Sequence, residues 1–161
     1  MILEVLNHSF HYEMENLCRA FYPNEKIKTL RSLAVSNEET IITTTIHAKD
    51  CGADMEVRIR CSADNYDAHR IISVSSDIAG FAEECERSMA VALFELLRER
   101  TGYTPSWGIL TGVRPSKLMT TLLKSQAPQQ ALEYFTGRLL VSPQKANLAL
   151  SVAKIEEAMI Q

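Results

Sequence analysis

The sequence predicts an α+β fold, in which a mainly antiparallel sheet packed by helices precedes an all-helical C-terminal segment. One observation is that four apolar residues at every second position alternate with charged residues: Met55, Val57, Ile59 and Cys61. That alternation is typical of a strand with one face buried and the other in water. A second is a long run of apolar residues at helical spacing that ends at Gly102. A third is that residues 106–161 show helical patterns only.

Residues 1–105 are predicted to form the α+β domain. Ser9 is a candidate N-cap for a first helix, which ends before Pro23. Asp77 is a candidate cap for the long helix near residues 77–101, with Gly102 as its C′ residue. The remaining segments are predicted as strands at 1–7, 26–33, 41–46, 55–61 and 70–74, turns at 37–39 and 50–54, and a loop at 62–67.

Residues 106–161 are predicted to form a connector followed by three helices. The first two helices are expected near residues 118–123 and 127–139, and Ser142 and Pro143 match the N-cap and first-turn positions of the third. Its inward-facing stripe is predicted to be Leu148, Val152, Ile155 and Met159. This helix reaches Gln161 without a stop signal, so we expect the chain to be part of a longer protein.

The most informative stretch is the connector at residues 107–118, with the sequence WGILTGVRPSKL. Its candidate structural or anion-contacting residues are Trp107, Gly108, Thr111, Gly112, Arg114, Pro115 and Lys117. The glycines permit a tight turn and close backbone approach, and Pro115 suits the first turn of a helix. One interpretation is a packed elbow between two domains, with Trp107 largely buried there and Arg114 paired with a carboxylate or backbone carbonyls. The other is an anion or cofactor contact at the helix N-terminus.

Composition bounds the possible partners and compartment. The 161 residues carry a formal net charge of −3, and 46% of them are hydrophobic, as in soluble globular proteins. A nucleic-acid partner is not expected, because such partners usually require a basic face. The N-terminus lacks the basic start and apolar run of a signal peptide, and no stretch is long and apolar enough to cross a membrane. We therefore expect a cytoplasmic protein with reduced thiols.

The four cysteines are widely spaced, at Cys18, Cys51, Cys61 and Cys85. None belongs to a C-x-x-C pair or to the C-x-x-x-C-x-x-C pattern of an iron–sulfur cluster. All but Cys51 fall on apolar faces, where a cysteine acts as a small hydrophobic residue. We expect no catalytic residue, metal ligand or cofactor-binding residue in these 161 residues.

The 107–118 block closely resembles the segment ahead of the catalytic core in the coproporphyrinogen dehydrogenase family (HemZ-type). These are radical S-adenosylmethionine (SAM) proteins related to oxygen-independent coproporphyrinogen III oxidase. The resemblance implies a core that binds a 4Fe-4S cluster through three cysteines and SAM at the fourth iron position. It also implies the oxidative decarboxylation of coproporphyrinogen III to protoporphyrinogen IX in haem biosynthesis.

The family's cluster cysteines match no residue of this chain, so the resemblance implies an N-terminal, non-catalytic part of such an enzyme. Residues 1–105 would be an accessory domain, and residues 106–161 an elbow and helical segment leading to the radical SAM core. The expected partners are that core and, in the full-length protein, the porphyrinogen substrate. The alternative is a stand-alone α+β module that binds a protein or RNA through its sheet.

Overall fold

The structure is a computed structural model that describes residues 1–33, 40–112 and 114–160. The turn predicted at residues 37–39 lies outside these ranges. The chain divides into two compact units, Met1–Tyr103 and Thr104–Gln161, called the sheet unit and the helical unit below. This division falls two residues before the predicted boundary at 105. Within the described ranges, no helix combines the length and apolar character that crossing a bilayer demands.

The sheet unit contains one five-stranded sheet in the order β2-β1-β3-β4-β5. The strands are β1 (Ile2–Leu6), β2 (Lys28–Leu30), β3 (Thr40–Lys49), β4 (Gly52–Cys61) and β5 (Tyr66–Ser75). The last three form an antiparallel meander, in which Ile42 pairs with Ile59 and Val57 with Arg70. β1 runs parallel to both of its neighbours. The predicted α+β class with a mainly antiparallel sheet is confirmed.

Two helices belong to the sheet unit, α1 (His11–Phe21) and α2 (Phe81–Thr101). α2 packs across β4 and β5, and α1 packs beside α2. The rings of Phe21 and Phe94 meet edge to face at 5.4 Å between centroids. Both are buried, and a large apolar side chain taken out of water contributes about 1.5–3 kcal/mol to the unit's stability.

Both N-caps predicted for the sheet unit are wrong. Phe10, not Ser9, is the N-cap residue of α1, and its N–H is bound by the Nδ1 of His8. α2 starts at Phe81 rather than near Asp77, because Gly80 takes a left-handed conformation (φ +71°) immediately before it. β5 also begins at Tyr66, inside the predicted loop. The predicted end of α2 is confirmed: Gly102 is left-handed and its N–H binds the Arg98 carbonyl at 2.8 Å.

The helical unit contains α3 (Pro115–Leu123), α4 (Pro128–Gly137) and α5 (Pro143–Ile160). Ser142 caps α5, since its Oγ accepts the Lys145 N–H at 3.2 Å. The core residues are Met119, Ala131, Phe135, Leu139, Val141, Ala146, Ala149 and Ala153. Against α3 and α4, α5 therefore presents small residues, which let the helices approach closely.

The predicted inward stripe of α5 is wrong. The buried residues of this helix are Ala146, Ala149 and Ala153. None of the predicted residues, here called the outer stripe (Leu148, Val152, Ile155 and Met159), is fully buried, and Val152 is half-buried. Leu148 is 47%, Ile155 59% and Met159 80% exposed. α5 thus has apolar residues on two faces: the alanines face the core with Leu150 packed beside them, while Leu148, Ile155 and Met159 face solvent.

Candidate functional site

Backbone hydrogen bonds hold the start of the 107–118 block against the connection between α4 and α5. The N–H of Ile109 binds the carbonyl of Leu139 at 3.0 Å, and the N–H of Ser142 binds the carbonyl of Ser106 at 2.8 Å. Gly108 lies between these bonds with φ +57°. A Cβ atom on Gly108 would come within 2.1 Å of the Leu139 carbonyl oxygen, so only glycine fits here.

Trp107 is partly buried and packs against the core of the helical unit. Lys145 Nζ lies 5.7 Å from the centroid of its ring, within the range of a cation–π contact. These contacts fasten the block to the first turn of α5. Trp107 therefore anchors the block within the helical unit. That it also lies buried between two domains stays a prediction.

Arg114 and Pro115 form the start of α3. Pro115 occupies the first turn, and the extended backbone of Arg114 (ψ 113°) makes it the N-cap residue. Arg114 Nη2 donates to Glu156 Oε1 on α5 at 2.9 Å. The prediction that this arginine pairs with a carboxylate is confirmed.

A half-open groove with a volume of about 610 Å³ runs between α3 and α5. Arg114, Lys117 and Lys124 line it from the α3 side, and Glu156 and Glu157 from the α5 side. Leu123, Ala153 and Ile160 give it an apolar lining. This α3–α5 groove brings together two of the predicted site residues, Arg114 and Lys117.

The other predicted site residues have different positions. Gly108 and Trp107 hold the backbone as described. Thr111 is partly buried and Gly112 is exposed, and neither is among the groove-lining residues that the structure describes.

Sequence reasoning missed Lys124, Glu156 and Glu157. Lys124 could have been found, because it is seven residues after Lys117 and thus on the same face of α3. Whether the two glutamates face the groove depends on which face of α5 packs inward, and the apolar pattern predicts that face wrongly.

The cysteines do not converge on one site. Cys18, Cys61 and Cys85 are buried in the sheet unit, and Cys51 is exposed. Burial raises the pKa of the Cys18 thiol to about 12 and also raises the pKa of Cys85, so both stay protonated at neutral pH. No three His, Cys, Asp or Glu residues among those described lie close enough to hold a metal ion. The residues present do not fit an iron–sulfur cluster.

The sheet face opposite α2 carries charges of both signs that pair with one another. Arg58 Nε donates to Asp67 at 2.8 Å, and Lys49 Nζ contacts Asp54 at 2.8 Å. Deeper on the same face, Glu4 is 1% exposed and accepts a 2.6 Å hydrogen bond from the hydroxyl of Thr43. Self-paired charges favour a solvated face over a basic surface for RNA.

Comparisons with known proteins add little to this description. No family model matches the chain, and no curated protein matches it. Among solved structures, the crystal structure of TolB from Acinetobacter baumannii aligns with 66% of this chain at 7% identity and a TM-score of 0.43. The chain covers 29% of that TolB chain. A likeness of this degree carries no argument about fold or function.

Proposed function

We propose that this chain is the N-terminal, non-catalytic part of a cytoplasmic radical SAM oxidoreductase. The complete protein would resemble oxygen-independent coproporphyrinogen III oxidase or dehydrogenase and convert coproporphyrinogen III to protoporphyrinogen IX. The observation that carries the proposal is the sequence WGILTGVRPSKL at residues 107–118, which resembles the segment ahead of the catalytic core in that family.

The geometry of the block supports a structural role for these residues. Gly108 fits only as glycine, Trp107 packs on the helical core, and Arg114 joins α3 to α5. These contacts all serve to hold a three-helix unit together. Residues selected for such contacts would stabilise an elbow ahead of a catalytic core and would take no part in its chemistry.

The cluster and SAM would be held elsewhere in the complete protein. A 4Fe-4S cluster supplies the electron that cleaves SAM, and it needs thiolates converging on one point. Cys18 and Cys85 are protonated thiols in the interior of the sheet unit. This chain would accordingly position and support the catalytic core.

The outer stripe of α5 is the surface on which we propose that the core docks. A helix that is apolar on two faces is typical of a helix buried between two layers. In the helical unit the alanine face is covered, while Leu148, Ile155 and Met159 remain exposed. The core of the same protein is the partner that the resemblance implies for this face.

Anaerobic reconstitution with iron and sulfide tests the proposal. We expect the 161-residue chain to stay colourless and the complete protein to become brown, with the absorbance of a 4Fe-4S cluster. As a matched control, replacing Cys51 by serine in the complete protein should leave cluster content unchanged, because this exposed cysteine is no ligand in the proposal. A complete protein without a C-x-x-x-C-x-x-C motif, or one that binds no cluster, would contradict it.

The alternative, a protein- or RNA-binding module that acts through its sheet, has one supporting observation. The sheet face opposite α2 exposes Ile71, at 54%, among charged side chains. The charged side chains around it pair with one another within the sheet, so few of them are left to pair with a binding partner. A complete protein that lacks a cluster but captures a defined protein or RNA would favour this alternative.

A further inference from the structure

The two lysines of the α3–α5 groove have no ion-pair partner among the residues that the structure describes. Arg114, by contrast, is neutralised by Glu156. Lys117 and Lys124 are seven residues apart, which places them on one face of α3 and about 10.5 Å apart along the helix. The α3 wall of the groove therefore presents two separated positive charges.

Beside these charges the groove is mainly apolar. Leu123, Ala153 and Ile160 line it, and Ala153 is almost fully buried, at 1% exposure. A volume of about 610 Å³ is within the range of small-molecule sites. Glu157 lies on the α5 side and disfavours an anion there.

From this arrangement we propose that the α3–α5 groove binds a small amphiphilic dicarboxylate. Its two carboxylates pair with Lys117 and Lys124 along α3, and its apolar body covers Leu123 and Ile160 above the buried Ala153. The negative charge of Glu157 repels the carboxylates of the ligand, so they lie on the α3 side of the groove. The inference goes beyond the proposed function, since it rests on the groove alone and holds whether or not the complete protein is a radical enzyme.

Titration of the 161-residue chain with decanedioate, followed by amide NMR shifts, tests the proposal. The extended ligand separates its carboxylates by a distance similar to that between the two lysines. Decanoate, which has the same chain length but one carboxylate, is the matched ligand. We expect decanedioate to shift groove resonances and to bind about tenfold more tightly than decanoate, since one charge-assisted contact is gained.

Lys117→Gln and Lys124→Gln should each reduce the affinity for decanedioate to that of decanoate. Lys154→Gln removes an exposed lysine of α5 outside the groove and should change neither affinity. Equal binding of the two ligands, shifts that map away from the groove, or no binding at millimolar concentration would each overturn the proposal. Each variant's thermal unfolding, measured in parallel, separates a lost contact from a lost fold.

Discussion

Arg114, the residue just before α3, forms an ion pair with Glu156 near the end of α5. Its Nη2 lies 2.9 Å from Oε1 of the glutamate. The residues are 42 positions apart in the chain, and the pair bridges one end of the α3–α5 groove. The side chains are 67% and 36% exposed, so water competes with the contact. The pair therefore adds little stability.

We expect Arg114→Gln and Glu156→Gln to lower the free energy of unfolding by less than about 1 kcal/mol each, the usual value of an exposed ion pair. A double-mutant cycle by urea denaturation measures the coupling directly, and it should decrease further at high salt. A coupling well above that value would mean that the pair is shielded from solvent, contrary to its exposure here.

Gly108→Ala should destabilise the helical unit by more than about 2 kcal/mol, because the added Cβ meets the Leu139 carbonyl and the backbone is left-handed. Gly137→Ala is the matched control. Gly137 lies at the end of α4 with nothing within 4 Å of its Cβ position, so alanine there should be neutral or stabilise by up to about 1 kcal/mol. Thermal unfolding of both variants checks this. Equal effects would contradict the tight approach of the two backbone segments.

Ile155→Gln should change the stability of the 161-residue chain by no more than about 0.5 kcal/mol, because its side chain is 59% exposed. Ala153→Leu, two residues earlier, should cost about 1–3 kcal/mol by overpacking a buried position. Urea denaturation of the two variants shows which face of α5 is buried. If Ile155→Gln lost much stability and Ala153→Leu lost little, the stripe predicted from the sequence would be the inward face after all.

The same helix shows how far the sequence can predict this structure. Periodicity correctly predicted helices around 115–123, 128–137 and 143–160, because each has an apolar face and a proline in its first turn. It failed to predict which face of α5 is inward, since both faces are apolar and the close packing of alanines outweighed side-chain size.

Strand order was also beyond the reach of the sequence. Alternation predicts that β4 has a buried face, but the parallel pairing of Ile2 with both Lys28 and Ile41 depends on how the chain crosses over. In the groove, Arg114 and Lys117 could be singled out from the sequence, whereas Glu156 and Glu157 become neighbours only through helix packing.

We expect the folded chain to lose stability in acid because of His8. Its Nδ1 accepts the Phe10 N–H at the start of α1, and its Nε2 lies 2.8 Å from the Thr44 hydroxyl. Burial, the largest cause, lowers the pKa of His8 below its ordinary value of 6.5. The unfolded chain therefore binds the proton first, so stability is fully present above pH 6.5 and decreases as the pH falls below it.

Urea denaturation at about pH 8 and about pH 5.5 measures this contribution. Relative to the original chain, His8→Asn should lose less stability between the two conditions. His69→Asn removes an exposed histidine of β5 and should retain the full decrease. An unchanged pH dependence in His8→Asn would show that the imidazole is not the group that titrates.

Anaerobic turnover tests our proposal that the complete protein is a radical SAM enzyme. The complete protein, reduced and supplied with SAM and coproporphyrinogen III, should form 5′-deoxyadenosine and a product in which propionate side chains have become vinyl groups. The 161-residue chain alone, whose buried thiols do not converge, should form neither. If the reconstituted, reduced complete protein leaves SAM intact, the protein is not a radical SAM enzyme.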